Sequence, residues 1–146
     1  MAEVIGEELA ESMAPGRIEI RSAGTHTRNG LPASEGALRA ADRNGVSLAQ
    51  HTSAELTSEM VEWADLVFAM GPGHLARVEQ LGGAKKGFLL GEYAEQGSGE
   101  VGGPRGQDFA VPDPFGGDDE VYERTFQTLR HYVRSAMKRL VDKWGG

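Results

Sequence analysis

Two short apolar runs place the strongest limit on the folds open to this chain. Leu66–Met70 ("LVFAM") lies between Asp65 and the turn "GPG", and "GFLLG" follows at Gly87–Gly91. Uninterrupted apolar runs of this length, bounded by turn residues, are typical of strands that are buried on both faces of a parallel sheet. Helical patterns alternate with these runs, so the sequence predicts an α/β domain with a mostly parallel sheet and helices on both faces.

A helical pattern begins at the very first residue, with no capping residue before it. Its apolar positions are Met1, Val4, Ile5, Leu9 and Met13. The segment Arg17–Ser22 then alternates Ile18 and Ile20 with charged neighbours, which predicts a short strand. Because parallel strands are joined by crossover connections, we expect a strand before the first helix as well, and the sequence lacks one.

Turn and cap residues predict the bounds of the next two helices. The second helix is expected to have Pro32 near its first turn and to stop at Asn44 and Gly45. A third helix is expected to open at Thr57. Both helices precede the first apolar run.

The second half of the chain follows the same logic. Pro72 is expected to start a fourth helix, and the glycine-rich composition of Gly91–Gly117 predicts a loop. Asp118 or Asp119 is expected to cap a long final helix.

The amino-acid composition excludes several classes of partner and of active site. The 146 residues are expected to form one domain (1–146), and a net charge of −7 without a basic cluster argues against nucleic acid or an anionic membrane as a partner. No leader or bilayer-spanning run is present, so a cytoplasmic location is expected. The absence of cysteine excludes thiolate metal sites and a cysteine nucleophile supplied by this chain. The spacing of His26, His74 and His131 suits no metal site, and no cofactor is expected.

The segment "VPDPFGGDDEVYERT" carries the clearest chemical signal. Pro114 holds Asp113 extended, and Phe115 stands beside it. Asp113 is either an ordinary turn residue or a general acid that protonates a leaving group, with Phe115 as a wall for the substrate. The residues alone leave both interpretations open.

Four segments together resemble the low-molecular-weight protein tyrosine phosphatases, bacterial type and close to the protein arginine phosphatase branch. The segments "SAGT", "HTSAELT", "ADLVFAM" and "VPDPFGG" occur here in the order and spacing of that family. The resemblance implies a three-layer α/β sandwich. It also implies a leading strand and a phosphate loop of the form Cys-x5-Arg-Ser-Pro, after which the family continues with residues like "MAE". We therefore expect that Met1 follows directly on the catalytic loop and that this chain is truncated, lacking both the loop and its strand.

The family mechanism assigns roles to residues of this chain only by that resemblance. The family's cysteine attacks phosphorus, and its loop arginine and backbone amides stabilise the transferred group. Asp113 matches the aspartate that protonates the leaving atom, and Phe115 the substrate wall. Ser22 and His51 match residues whose hydrogen bonds support the phosphate loop. Without the resemblance, Ser22 is an ordinary strand end and His51 a locally bonded loop residue.

The expected activity is hydrolysis of phosphotyrosine or phosphoarginine in a phosphorylated protein, through a cysteinyl-phosphate intermediate in the full-length form. The sequence "DPFGG" favours phosphoarginine, whereas the discriminating position lies in the phosphate loop. An arsenate reductase is disfavoured because it needs additional thiols. The alternatives are an inactive truncated protein with a binding or regulatory role, and an unrelated doubly wound domain. Exposed strand edges are expected to permit self-association.

Overall fold

The computed structural model describes residues 1–13, 16, 18–24, 30–95, 110–112, 114 and 116–144. Within these ranges the chain alternates helices with two short strands, and the fourth helix continues into a π-helical turn. In chain order the elements are α1 (Ala2–Met13), α2 (Glu35–Arg43), α3 (Ser58–Trp63), β1 (Val67–Ala69), α4 (Pro72–Val78), the π-helical turn (Glu79–Gly83), β2 (Gly87–Leu89), α5 (Leu90–Glu95) and α6 (Asp119–Trp144).

The two apolar runs form the two strands, as predicted. β1 and β2 pair in parallel, with Phe68 opposite Phe88 at the centre of the register. The chain between them passes through α4 and the π-helical turn, where Gly82 adopts a φ of 101° that allows the sharp change of direction. A parallel pair joined by a helical crossover is the basic unit of an α/β fold.

The core is built around α6. Phe126, in the first third of this helix, is completely buried, and α1, α2 and α5 all pack against the same helix. Two glycines make close packing possible. A Cβ atom at Gly36 would lie 2.3 Å from the ring of Tyr122, and one at Gly6 would lie 2.8 Å from Cδ1 of Ile20. Helices α2 and α6 therefore approach each other through a contact that a larger residue at position 36 would block.

The predicted helix ends agree with the structure at three points. Thr57 caps α3 by accepting a hydrogen bond from the Met60 N–H at 3.2 Å. Asp118 caps α6 by accepting one from the Val121 N–H at 3.0 Å. Gly45 follows α2 with a φ of 78°, a left-handed conformation that glycine adopts without strain.

The strand predicted at Arg17–Ser22 is wrong. Arg17 lies outside the described residues, and Ile18–Ser22 has no regular secondary structure. The side chains of this segment still alternate in burial as predicted: Ile18 and Ile20 are half-buried, whereas Glu19 and Arg21 are exposed. A strand also needs a backbone partner, and none of the described residues pairs with this segment.

Two smaller predictions also need correction. Pro32 does not lie in the first turn of a helix: it pairs with Thr52 in an antiparallel bridge, and α2 begins only at Glu35. The expected loop from Gly91 starts instead as helix α5. Its Tyr93 is buried, with ring centroids 4.9 Å from Phe68 and 5.4 Å from Phe88, so packing overrides the local glycine signal.

No helix among the described residues is long and apolar enough to cross a membrane.

A network of side-chain hydrogen bonds connects the end of α2 to α6. The Glu123 carboxylate accepts hydrogen bonds from Asn44 Nδ2 at 2.8 Å, Gln127 Nε2 at 2.9 Å and Arg43 Nε at 2.9 Å. Because these donors stabilise the charged form, they lower the pKa of Glu123 to about 2.

We predict that this network stabilises the fold above pH 4.5. A carboxyl whose pKa is lower in the folded state favours folding when ionised, and this contribution is lost as the pH falls from about 4.5 towards 2. Glu123→Gln should lower the melting temperature by about 1–3 °C at pH 7, and the difference from the unmodified chain should shrink on acidification. Glu120→Gln, which removes an exposed glutamate one turn earlier in the helical register, is the control. An equal effect of both substitutions at pH 7 would contradict the assignment.

Candidate active site

A cavity of about 410 Å³ lies where the start of α1, the start of α2 and the loop before α6 meet. Its lining includes Met1 from the first segment and His51 from the loop after α2. Pro114, the residue after Asp113, contributes a further wall. The cavity is therefore lined by His51, a site residue predicted from the sequence. It is also lined by Pro114, which directly follows the predicted acid Asp113.

Glu3 contacts both residues that were predicted to support the phosphate loop. Its carboxylate accepts a hydrogen bond from Ser22 Oγ at 3.0 Å through Oε1, and His51 Nδ1 lies 3.3 Å from Oε2. Because a carboxylate can only accept, the proton of this contact belongs to Nδ1 of His51. The side chains of His51 and Glu3 are only 19% and 21% exposed, so solvent competes weakly for the contact. The structure thus brings Ser22 and His51 together on one carboxylate.

Glu3 is not predicted as a site residue from the sequence. An acidic residue in the first turn of a helix is explained by the helix dipole alone, so the residue carries no functional signal of its own. Ser22 lies 19 residues away and His51 lies 48 residues away. Only the packing of α1 against the rest of the fold makes these three residues neighbours.

A second carboxyl group, that of Glu7, lies one helical turn after Glu3. Burial of its carboxyl raises the pKa of Glu7 above the ordinary value, and the negative charge and hydrogen bond of Glu3 add to this increase. The positive charge of His51 acts in the opposite direction. Glu7 is therefore a second carboxyl group whose own ionisation is opposed by burial and by the charge of Glu3.

Two hydroxyl groups that line the cavity, those of Ser34 and Tyr122, are hydrogen-bonded to each other. Ser34 precedes α2 as its N-cap residue, but its side chain makes no capping hydrogen bond. Its Oγ lies instead 3.1 Å from the hydroxyl of Tyr122. Both residues line the cavity, so this contact ties the start of α2 to the first turns of α6 at the site.

Asp113 and Phe115 lie outside the described residues, but the chain on both sides of them is anchored. The Val111 N–H donates to the carbonyl oxygen of Met70, directly after β1, at 2.7 Å. On the other side, the Gly117 N–H donates to the Pro114 carbonyl oxygen at 2.8 Å, and Gly116 has a φ of 85°. The loop is thus held at the carboxyl end of a strand, where ligands bind in open α/β sheets.

His131 is separate from this cluster. His131 Nε2 lies 3.0 Å from Glu95 Oε1 on the exposed side of α6, and His26 lies outside the described residues. In the part of the chain that the structure describes, no group of three or more His, Cys, Asp or Glu residues could hold a metal ion.

We predict that removing the second carboxylate stabilises the protein at neutral pH. The pKa of Glu7 is raised in the folded state, so its protonated form favours folding below pH 4.5, and its ionised form opposes folding at higher pH. Glu7→Gln should raise the melting temperature by about 1–2 °C at pH 7, with a smaller difference at pH 4. The neighbouring exposed residue Glu8, changed to Gln, should have no such effect. A lower melting temperature of Glu7→Gln at pH 7 would refute this prediction.

Comparison with known proteins agrees with the geometry. The family model described as "Low molecular weight phosphotyrosine protein phosphatase" matches residues 1–144. The low molecular weight protein-tyrosine-phosphatase Etp of Escherichia coli (strain K12) is 31% identical over 138 residues, which cover 93% of this chain and 84% of Etp. The protein-arginine-phosphatase of Bacillus subtilis (strain 168) is 32% identical over 142 residues, covering 96% and 87%.

Solved structures give the same result. A mutant of the YwlE arginine phosphatase with a phosphorylated active-site serine superimposes with a TM-score of 0.83 at 32% identity, covering 99% of this chain and 88% of that one. The YwlE arginine phosphatase from Geobacillus stearothermophilus gives a TM-score of 0.80 at 28% identity, covering 97% and 84%. The predicted α/β fold class and the resemblance of the four segments are confirmed. This chain belongs to the low molecular weight phosphotyrosine protein phosphatase family.

Proposed function

We propose that residues 1–146 form a single domain of a protein phosphatase that removes phosphate from tyrosine or arginine side chains of a phosphorylated protein. The observation that carries the proposal is the carboxylate of Glu3. This carboxylate binds both Ser22 and His51. His51 lines the cavity together with Pro114, the neighbour of the proposed acid Asp113. Relatives named as tyrosine phosphatases and as arginine phosphatases support both substrates.

In the proposed mechanism, Asp113 is the general acid and base. A cysteine thiolate attacks phosphorus, the bond from phosphorus to the leaving oxygen or nitrogen breaks, and Asp113 donates its proton to the leaving atom. Asp113 then takes a proton from water, which attacks the cysteinyl phosphate and releases inorganic phosphate and the thiolate. The sequence contains no cysteine, so the thiolate must come from a Cys-x5-Arg segment outside these residues.

The supporting residues have distinct proposed roles. Ser22 and His51, held by Glu3, stabilise the conformation of the phosphate loop. Phe115 forms an apolar wall beside the leaving group, a surface suited to the flat ring of tyrosine or the planar guanidinium of arginine. The Phe115–Gly116–Gly117 sequence favours arginine, so both phosphorylated side chains belong in the assay.

The location and assembly of the protein are also proposals. We place it in the cytoplasm. Self-association through strand edges is supported by β1 and β2, which among the described residues pair only with each other, leaving each an outer edge. The alternative is that the truncated chain is an inactive binding or regulatory protein, which predicts that the 146 residues bind phosphopeptides without turnover.

We predict that the 146-residue chain does not hydrolyse an aryl phosphate, because it has no thiolate to form the phosphoenzyme. Placing a strand and a Cys-x5-Arg-Ser-Pro segment before Met1 should give activity towards phosphotyrosine or phosphoarginine peptides. In that active version, Asp113→Asn should lower kcat about a hundredfold or more, the usual scale for a general acid.

The control for this experiment is Asp142→Asn, which changes an exposed aspartate near the end of α6. It should leave kcat unchanged. The function would be contradicted if the version extended by the Cys-x5-Arg-Ser-Pro segment bound both phosphopeptides and hydrolysed neither, or if Asp113→Asn had no more effect than the control.

A further inference from the structure

A second cavity lies on the other side of Pro114. It measures about 300 Å³ and is bounded by the loop before α6 on one side and by one face of α6 on the other. Val111, Pro112 and Pro114 form an apolar wall, and Val121, Arg124 and Thr128 face it from the helix. Thr125 lines it as well, so the cavity combines apolar surface with one cationic group and two hydroxyls. Arg124 and the two threonines have no role in the mechanism proposed above.

The cationic group of this cavity is Arg124. It is exposed, and within the described ranges no acidic side chain or aromatic ring pairs with its guanidinium. The nearest acidic side chains of α6 do not bind it: Glu123 binds Arg43, Asp119 binds Arg39, and Glu120, four residues before Arg124, forms no ion pair with it. A guanidinium that lies beside apolar walls and pairs with none of the described acidic side chains is suited to a carboxylate.

Pro114 connects this cavity to the candidate active site. It lines both cavities, so the two are adjacent. An extended peptide advances by about 3.3 Å per residue, and a peptide with one side chain in the first cavity can therefore place a nearby side chain in the second.

We propose that the second cavity binds the carboxylate of an Asp or Glu that lies close in sequence to the phosphorylated residue of the protein substrate. Arg124 pairs with the carboxylate, and the proline and valine walls contact its aliphatic stem. The proposal rests on the proposed function for its substrate. The binding of the carboxylate, however, needs neither a phosphate nor a thiolate.

The test is an NMR titration of the 146-residue chain with two capped, unphosphorylated tetrapeptides that differ only in one residue, Glu or Gln. The Glu peptide should shift the backbone amides of residues 121–128 and bind about three- to fivefold more tightly than the Gln peptide, the range expected for an exposed ion pair. Arg124→Gln should abolish this preference. Arg134→Gln is the matched control: it removes another exposed arginine of α6 that does not line the cavity, and the preference should remain.

A charge reversal gives a second, independent readout. Arg124→Glu should bind a Lys tetrapeptide more tightly than the Glu tetrapeptide, and the amide spectrum of each variant reports whether it is folded. Equal binding of the Glu and Gln peptides would overturn the proposal, as would loss of the preference in Arg134→Gln. Because no catalysis is measured, this failure would leave the phosphatase proposal standing, and an inactive phosphatase would not alter the titration.

Discussion

The burial of one face of α6 is the constraint on which the rest of the structure depends. Phe126 is completely buried, and α1, α2 and α5 pack against the same helix although only two short strands are present among the described residues. Each of these contacts has a consequence for the site. The packing of α1 fixes the position of Glu3, and the packing of α2 brings Ser34 to Tyr122. A helix that is stabilised chiefly by tertiary contacts can in this way determine the geometry of loops that are distant in sequence.

The carboxylate of Glu3 holds the candidate site together, although the sequence pointed to Ser22 and His51 instead. Ser22 and His51 belong to separate irregular segments and do not hydrogen-bond to each other, but both bind Glu3. A hydrogen bond to a charged group is worth more than one between neutral groups, so a single helical residue can hold two loops at once. The neighbouring carboxyl of Glu7 limits this effect, because it adds negative charge to the cluster.

The sequence predicted the elements that have a strong local signal and missed those that depend on distant partners. The apolar runs around Phe68 and Phe88, the cap at Thr57 and the family resemblance were all correct. The strand at Arg17–Ser22 was wrong because alternation specifies which side chains are buried but not whether a backbone partner exists. Helix α5 was missed because its stability comes from packing of Tyr93. Glu3 could not have been found, since its partners are set only by the folded chain.

The most direct test of this account is a double-mutant cycle between Glu3 and His51, measured as the free energy of unfolding in denaturant at pH 7. Glu3→Gln, His51→Gln and the double variant should show a coupling of about 0.5 kcal/mol or more, the scale for residues in contact. The same cycle with Glu11→Gln, an exposed glutamate further along α1, should be additive within about 0.3–0.5 kcal/mol. Additive effects of Glu3→Gln and His51→Gln would contradict the account, because the carboxylate would then not hold the histidine loop.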